Sequence, residues 1–244
     1  MSVTITALEG IPEVTAGADL GALIVAALDR PLDGSEVVVV TQKIVSKAEG
    51  RVVDLATVQP RAKAREWGER WGKDPRAVEV VLGESAEVLR MADGGLIISR
   101  TAHGFVCANA GVDLSNTGGL DLATLLPIDP DASARRIRDA LPGHPAVIIS
   151  DSFGRPWREG IVDVAIGSAG LEAILDLRGT KDADGRTLQA TVVAVADQLA
   201  SAANLAGGKA QGRPVVVIRG YRYAASETAT SRPLIMDRAR DLFP

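Results

Sequence analysis

The chain has 244 residues, of which 46% are hydrophobic and 24% charged, and its net charge is −4 at pH 7. This composition excludes a disordered chain, and the acidic balance argues against binding to duplex nucleic acid, which usually needs a basic face. One cysteine excludes an internal disulfide framework, and no stretch offers the roughly 20 apolar residues of a membrane span. Residues 1–13 lack the pattern of a signal peptide. We therefore expect a cytoplasmic protein without a membrane partner.

The first half of the chain predicts alternating helices and strands. Residues 18–28 form an amphipathic pattern typical of a helix, and the Val-rich run 37–40 predicts a strand that is buried on both faces. Asp74 stands before a proline, which predicts a capped helix start that continues to about Val81. A weaker apolar run at 96–98 predicts another strand.

The second half continues the alternation. Asp131 is the predicted cap of a helix over 132–141, and the apolar runs 146–149 and 215–218 predict two further buried strands. The polar, turn-rich stretch 178–185 predicts a loop or hairpin. Residues 188–206 are rich in alanine and nearly uncharged, which predicts a long buried helix that packs either in the core or against another subunit.

Several common chemistries lack their motifs. A phosphate-binding loop would need Ser or Thr after Gly208-Lys209, where Ala210 stands, and neither GxGxxG after a strand nor GxSxG is present. His103 and His144 are not at zinc-ligand spacing. Standard nucleotide, zinc and hydrolase sites are therefore not predicted.

The sequence does offer carboxylate side chains that suit a site for a divalent metal. Asp113 lies in a turn-forming segment of small residues, and Asp151 and Ser152 follow the predicted strand 146–149. Carboxylate and hydroxyl oxygens suit Mg²⁺ or Mn²⁺, and the nearby Arg155 and Arg158 suit phosphate or carboxylate groups. The alternative is that both aspartates only cap turns. Both interpretations stay open on the residues alone.

The same segments carry a family resemblance. The strings QKIVSKAEG (42–50) and SDSFGRPWR (150–158) are long enough to be specific, and residues 103–113 extend the match. In colinear order over nearly the whole chain, the sequence resembles the coenzyme F420-0:L-glutamate ligase family, also called gamma-glutamyl ligase. The resemblance implies an α+β (mixed α/β) fold with two interleaved subdomains and an intertwined homodimer. It implies one ligase domain over 1–244, without the C-terminal flavin-binding domain of some relatives.

The resemblance also implies the activity and the site. A GTP-dependent enzyme would join L-glutamate to coenzyme F420-0, then add further glutamates by gamma linkages, with an acyl phosphate, two divalent metals (Mg²⁺ or Mn²⁺) and K⁺. Asp113 and Asp151 are the expected catalytic residues, and with Ser152 they would hold the metals. The residues expected to bind the nucleotide are Ile11, Pro12, Glu13, Val14, Gln42, Lys47 and Asn116.

Several residues, and the function itself, allow alternative interpretations. Gln198 stands where the family pattern leads us to expect an acid, so a cation-binding role there is in doubt. Phe105 and Trp157 suit either ring stacking or core packing, and His103 and Cys107 are better explained as structural residues. Two other functions compete with the ligase: a non-catalytic protein that binds a nucleotide or deazaflavin, and an amide ligase that acts on a different acid.

Overall fold

The computed structural model describes residues 2–115, 121–209 and 211–241, and the protein is a mixed α/β structure with several sheets. Within these residues the largest sheet has six strands, and the smaller ones have two or three. In chain order the strands are β1 (Thr4–Ala7), β2 (Val37–Thr41), β3 (Val52–Asp54), β4 (Ser85–Ala92), β5 (Leu96–Thr101), β6 (Val106–Ala108), β7 (Leu122–Thr124), β8 (Ala146–Arg155), β9 (Arg158–Leu171), β10 (Leu175–Asp176), β11 (Val192–Val193), β12 (Val215–Arg219) and β13 (Ala225–Ser226).

Helices alternate with these strands. In chain order they are α1 (Leu20–Ala27), α2 (Gln42–Ala48), α3 (Ala62–Trp71), α4 (Pro75–Glu84), α5 (Pro130–Ala140) and α6 (Val195–Gly207), with short 3₁₀ turns at Leu55–Thr57, Asn109–Gly111, Arg232–Leu234 and Arg238–Arg240. None of the helices in the described ranges has the length and apolar character needed to cross a bilayer.

The large sheet has the order β1-β12-β2-β8-β9-β13, in which β2 and β8 are parallel and the other neighbours antiparallel. Alternate residues of its central strands face opposite cores. Val38 and Val40 pack on the side of α1 and α5, whereas Val37 and Val39 pack on the side of α6. The strands predicted at 37–40, 146–149 and 215–218 are confirmed, because their β-branched residues are buried on both faces.

A long stretch between α2 and α5, residues 51–125, carries β3 to β7 with α3 and α4; we call it the inserted segment. Most of its buried apolar residues form two small clusters of their own, one around Val80 and Ala123 and the other around Ile97 and Val81, whereas Phe105 and Cys107 join the large core. The strand predicted at 96–98 lies within it and is confirmed as part of β5. The predicted cap at Asp74 is confirmed too, since its side chain accepts a hydrogen bond from the Arg76 N–H.

Two details of the predicted helices were wrong. Asp129, not Asp131, caps α5 by accepting a hydrogen bond from the Ala132 N–H. The Asp131 carboxylate instead accepts hydrogen bonds from the N–H groups of Ser168 and Ser231, so it ties β9 and the C-terminal stretch to the helix.

The long helix predicted over 188–206 begins only at Val195, because the preceding residues are extended and include β11, which pairs with β10. The apolar side of α6, including Leu199 and Ala203, packs against the large sheet, so these residues belong to the core. The turn-rich stretch 178–185 is a loop, as predicted, with an isolated bridge between Lys181 and Thr187. The early helix is confirmed and slightly shorter, from Leu20 to Ala27.

Candidate functional site

A cleft of about 850 Å³ opens where β2 ends, beside the middle of β8. Because these strands are parallel, Thr41 and Ser150 are paired and the polar residues that follow them lie side by side. All the site residues predicted from the sequence line this cleft, except Asn116, which lies outside the described residues. They are Ile11, Pro12, Glu13, Val14, Gln42, Lys47, Asp113, Asp151 and Ser152.

One wall of the cleft is formed by the start of α2 and the loop after β1. Strand β2 ends at Thr41 and the helix follows without a linker, which holds Gln42 in a buried position where its side-chain oxygen accepts a hydrogen bond from Ser46 Oγ at 2.8 Å. Lys47, in the last turn, forms an ion pair with Glu13. This wall therefore carries a cation and fixed polar groups.

Asp113 reaches the cleft from the inserted segment. Its backbone N–H and C=O are both bonded to Thr124, at 2.9 and 2.8 Å, which fixes the residue beside β7. Its carboxylate accepts hydrogen bonds from Lys43 Nζ at 2.6 Å and from the Ser115 N–H at 2.7 Å. Burial would raise the pKa of Asp113, but the hydrogen bonds from Lys43 and Ser115 outweigh it and hold the pKa below its ordinary value. Asp113 is therefore ionised at neutral pH.

Asp151 has the opposite electrostatic character. Burial raises its pKa from 3.8 to about 7, the carboxylates of Asp163 and Asp113 act in the same direction, and the Ser152 N–H and Lys209 only partly offset them. Ionising Asp151 therefore adds negative charge beside other acids. A cation bound at this position would relieve that repulsion.

Asp163 is a site residue that the sequence did not reveal. It lies on β9 directly opposite Ser152 and accepts a hydrogen bond from Ser152 Oγ at 2.5 Å and one from Lys209 Nζ at 3.1 Å. Its side chain is only 6% exposed, and its backbone carbonyl accepts a hydrogen bond from Ser201 Oγ on α6. It stands in the middle of a strand and outside any motif, so only the strand register could have identified it.

The donor set of the cleft fits a divalent cation in its chemistry. Three carboxylates and the Ser152 hydroxyl are hard oxygen ligands of the kind that Mg²⁺ and Mn²⁺ prefer. Among the described residues, no three Asp, Glu, His or Cys side chains already stand at the spacing of a metal site. Two of the acids, Asp113 and Asp163, are instead neutralised by Lys43 and Lys209. A cation would have to compete with these ammonium groups.

Other candidate residues lie outside the cleft lining. Arg155 donates a hydrogen bond to the Glu159 carbonyl in the hairpin between β8 and β9, and Arg158 begins β9. Trp157 lies at the turn of this hairpin with 78% of its surface exposed. On α6, Gln198 is exposed, whereas the neighbouring Asp197 accepts a hydrogen bond from the Ala165 N–H.

The contacts of Phe105, His103 and Cys107 agree with a structural role for each of them. Phe105 is buried, stacks on His103 and meets Phe153 edge to face. The Nε2 atom of His103 lies 2.9 Å from the Pro127 carbonyl oxygen. Burial, with a smaller effect from the Asp151 charge, raises the pKa of Cys107 to about 12, so its thiol stays protonated.

Comparison with known proteins decides the family. The family model described as F420-0:gamma-glutamyl ligase matches residues 10–220. The chain belongs to this family. The resemblance inferred from the sequence is thereby confirmed, and the protein is an enzyme of the ligase class.

Individual relatives cover most of the chain. It is 47% identical to a coenzyme F420:L-glutamate ligase of Methanothermobacter thermautotrophicus, over 100% of this chain and 99% of the relative. Proteins of the same description from Methanocaldococcus jannaschii and Methanopyrus kandleri are 43% and 41% identical. These matches cover 87% and 97% of this chain and 86% and 96% of those relatives.

Proposed function

We propose that the protein joins L-glutamate to coenzyme F420-0 at the expense of GTP and adds further glutamates through gamma linkages. The proposal rests on one observation. Among the described residues, those expected to bind the nucleotide and those expected to hold the metals line the same cleft. The names of the relatives support glutamate and coenzyme F420 as the substrates.

The reaction needs an activated carboxylate, because an amide does not form from a carboxylate and an amine at neutral pH. A carboxylate oxygen of the acceptor would attack the gamma-phosphorus of GTP, giving an acyl phosphate and GDP. The amine of glutamate would then attack the acyl carbon, lose a proton and release inorganic phosphate. No protein nucleophile is required, so the residues of the cleft serve mainly to bind and orient.

The cleft offers residues for each of these tasks. Residues 11–14, Gln42 and Lys47 would hold the nucleotide, together with Asn116, and the ammonium groups of Lys43 and Lys209 would face its phosphates. Lys43 and Lys209 are already anchored by Asp113 and Asp163, which positions both cations without the help of a substrate.

Asp113, Asp151 and Ser152 would hold two divalent cations, Mg²⁺ or Mn²⁺, and a K⁺ ion would bind nearby. When bound, these cations would neutralise the phosphates and the charge that develops on the attacking and leaving oxygens. The raised pKa of Asp151 supports this assignment, since a buried carboxyl among other acids is stabilised in its ionised form by a cation.

We also propose a cytoplasmic homodimer whose protomers each consist of two interleaved subdomains. In the chain described here, the inserted segment lies between α2 and α5 and has its own apolar clusters, which supports the subdomain arrangement. Light scattering at micromolar concentration should give twice the chain mass of 25.4 kDa. A monomer mass would contradict the homodimer.

One assay tests the ligase activity. The protein is incubated with GTP, Mn²⁺, L-glutamate and F420-0, and the masses of the deazaflavin products are read. We expect masses that increase in steps of one glutamate residue, with one GDP formed per step. A folded protein that binds GDP and F420-0 without any mass increase would instead be a non-catalytic binder. GTP turnover that depends on another carboxylic acid and not on F420-0 would identify a different amide ligase.

A further inference from the structure

The hairpin of β8 and β9 extends one face of the cleft. The register pairs Ser152 with Asp163 and, two residues further along, Gly154 with Ile161. Because alternate residues of a strand share a face, Gly154 and Ile161 lie next to the Ser152–Asp163 pair on the same face. Ile161 itself lines the cleft. We call Gly154 and Ile161 the ledge.

Neither a left-handed backbone nor lack of space requires glycine at position 154. Its φ lies outside the left-handed region, and a Cβ built there would meet no atom within 4 Å. Among the glycines that the structure describes, only Gly83 shares both properties. The register of the hairpin shifts between Gly154 and Arg155, and on the opposite strand Gly160 takes the left-handed conformation there, with a φ of +83°. A glycine inside a strand weakens it and is typical of a place where a ligand approaches the backbone closely.

The partner of Gly154 is an exposed apolar residue. Ile161 is 56% exposed, although it points toward the same cleft as the buried Asp163. Without a side chain at Gly154, the faces of the strand's peptide groups are open beside the exposed aliphatic side chain of Ile161. Planar aromatic rings bind to such surfaces, because they bury a large area without needing polar partners on their faces.

The order of the sheet separates the ledge from the predicted nucleotide residues. Residues 11–14 follow β1, and Gln42 and Lys47 follow β2; both strands lie on one side of β8, whereas β9 lies on the other. The acceptor carboxylate must meet the gamma-phosphate of GTP beside Asp151 and Ser152, between these two sides. The rest of the acceptor then extends toward β9 and the ledge.

We propose that the ledge binds the planar deazaflavin ring of the acceptor. This inference rests on the proposed function, which supplies the identity of the acceptor. Gly154 leaves room for the ring against the strand backbone, and Ile161 covers part of one ring face. The residue at position 154 thus determines which acceptors the cleft admits.

The substitution Gly154→Val tests the ledge without harming the fold. Valine favours strands and would enter open space, so the melting temperature should stay the same or increase. Its side chain would occupy the place of the ring, so the KM for F420-0 should rise about tenfold or more, with kcat little changed at saturation. GDP affinity should not change.

A second measurement separates ring binding from catalysis. The deazaflavin nucleoside that lacks the phospholactyl arm cannot react, and its affinity is measured by equilibrium dialysis without GTP. We expect Gly154→Val to weaken this affinity by about the same factor as it raises KM, and Ile161→Ser to weaken it less. Gly83→Val is the matched control for Gly154→Val, because both glycines face open space, and it should change neither value.

The outcomes are distinct. An unchanged KM and unchanged nucleoside affinity in Gly154→Val would overturn the proposal. A change in molar mass by light scattering would also overturn it, by showing that the ledge is a contact between two copies of the chain. If the wild-type protein adds no glutamate at all, the proposed function fails, and the nucleoside measurement still decides for or against the ledge.

Discussion

The acids of the cleft are held by two differently built regions. Asp151 and Asp163 stand on β8 and β9, whose inner parts are buried on both faces by the large cores of the central sheet. Asp113 stands on the inserted segment, whose apolar clusters contain only five buried residues each. Because a larger buried area resists local opening more strongly, the sheet-held acids have the more rigid support.

The contrast shows where the cleft depends on docking between regions. Lys43, directly after β2, bonds Asp113 of the inserted segment across the cleft. Arg51 of the segment donates a hydrogen bond to the Leu126 carbonyl, and Arg238 near the C-terminus pairs with Glu87 on β4. These polar contacts, together with Phe105 and Cys107 in the large core, hold the segment against the sheet.

The largest expected effect is the loss of ligation when Asp151, an acid on the central sheet, is substituted. Asp151→Asn keeps the shape of the side chain but removes the charge that would face two dications, so ligation should fall by about three orders of magnitude or more. Circular dichroism should show an intact fold. The matched control is Asp93→Asn, an exposed carboxylate on a turn, which should leave ligation unchanged. Near-normal activity and Mn²⁺ affinity in Asp151→Asn would mean that Asp151 is only a structural residue of β8.

The segment-held acid should be equally necessary for ligation. Asp113→Asn should also cost about three orders of magnitude in rate, and it removes the ion pair with Lys43. We therefore expect hydrogen exchange in the inserted segment to become faster in Asp113→Asn and to stay the same in Asp151→Asn. Equal exchange rates in both variants would refute the idea that the Lys43–Asp113 pair helps to dock the segment.

A smaller effect is expected at Asp163, which positions the Ser152 hydroxyl. Since Ser152 donates its hydrogen to Asp163, its lone pairs are left for a cation. Ser152→Ala and Asp163→Ala should each weaken Mn²⁺ binding by roughly tenfold, as measured by titration calorimetry. If Asp163 acts through Ser152, its effect should shrink in the Ser152→Ala background. A fully additive double variant would make Asp163 a direct ligand instead.

The raised pKa of Asp151 predicts a pH-dependent stability. Burial raises this pKa from 3.8 to about 7, so the folded protein retains a proton that the unfolded chain releases between these values. Stability should therefore fall as the pH rises through that window. In EDTA, Asp151→Asn should melt several degrees above the wild type at pH 8 (roughly 3 °C per kcal/mol at this size) and at the same temperature at pH 4. A lower melting temperature at pH 8 would contradict this.

The smallest expected effect is a difference in the free energy of unfolding between core truncations in the central sheet and in the inserted segment. Ile148 in the central sheet and Ile97 in the inserted segment are both buried isoleucines. Truncation to alanine costs about 2–5 kcal/mol in a core, and the cost is lower where the surroundings can relax. In urea unfolding, Ile148→Ala should lie near the upper limit and Ile97→Ala near the lower one. The reverse order would mean that the inserted segment is the better-packed region.

The sequence predicted the structure correctly where the structure depends on neighbouring residues or on a repeating apolar pattern. The β-branched runs predicted the central strands, because burial on both faces demands continuous apolar residues. The start of α6 was predicted seven residues too early, since the alanine-rich composition hid the extended residues that include Val192 and Val193. Asp131 was taken for a cap because the tertiary bonds to Ser168 and Ser231 leave no mark in the local pattern.

The site residues, too, were predictable where a local pattern marks them and not where a tertiary contact brings them together. Asp151 and Ser152 follow a recognisable apolar run, so the sequence predicts them after a strand, whereas β8 continues through both to Arg155. Asp163 lies within a strand and is brought to Ser152 only by the antiparallel register of the hairpin. The docking of Asp113 on Lys43 likewise depends on a contact between residues 70 positions apart.

Oxygen transfer tests the central claim, that the cleft activates a carboxylate with GTP, most directly. F420-0 labelled with ¹⁸O in both oxygens of its lactyl carboxylate is incubated with the protein, GTP, Mn²⁺ and L-glutamate, and the released phosphate is analysed by mass. An acyl phosphate route predicts one ¹⁸O atom in the phosphate released by the first ligation and one in the new amide, whereas later gamma-linked additions activate an unlabelled glutamate carboxylate and release unlabelled phosphate. F420-0 converted to amide without an equal amount of singly ¹⁸O-labelled phosphate would contradict the account.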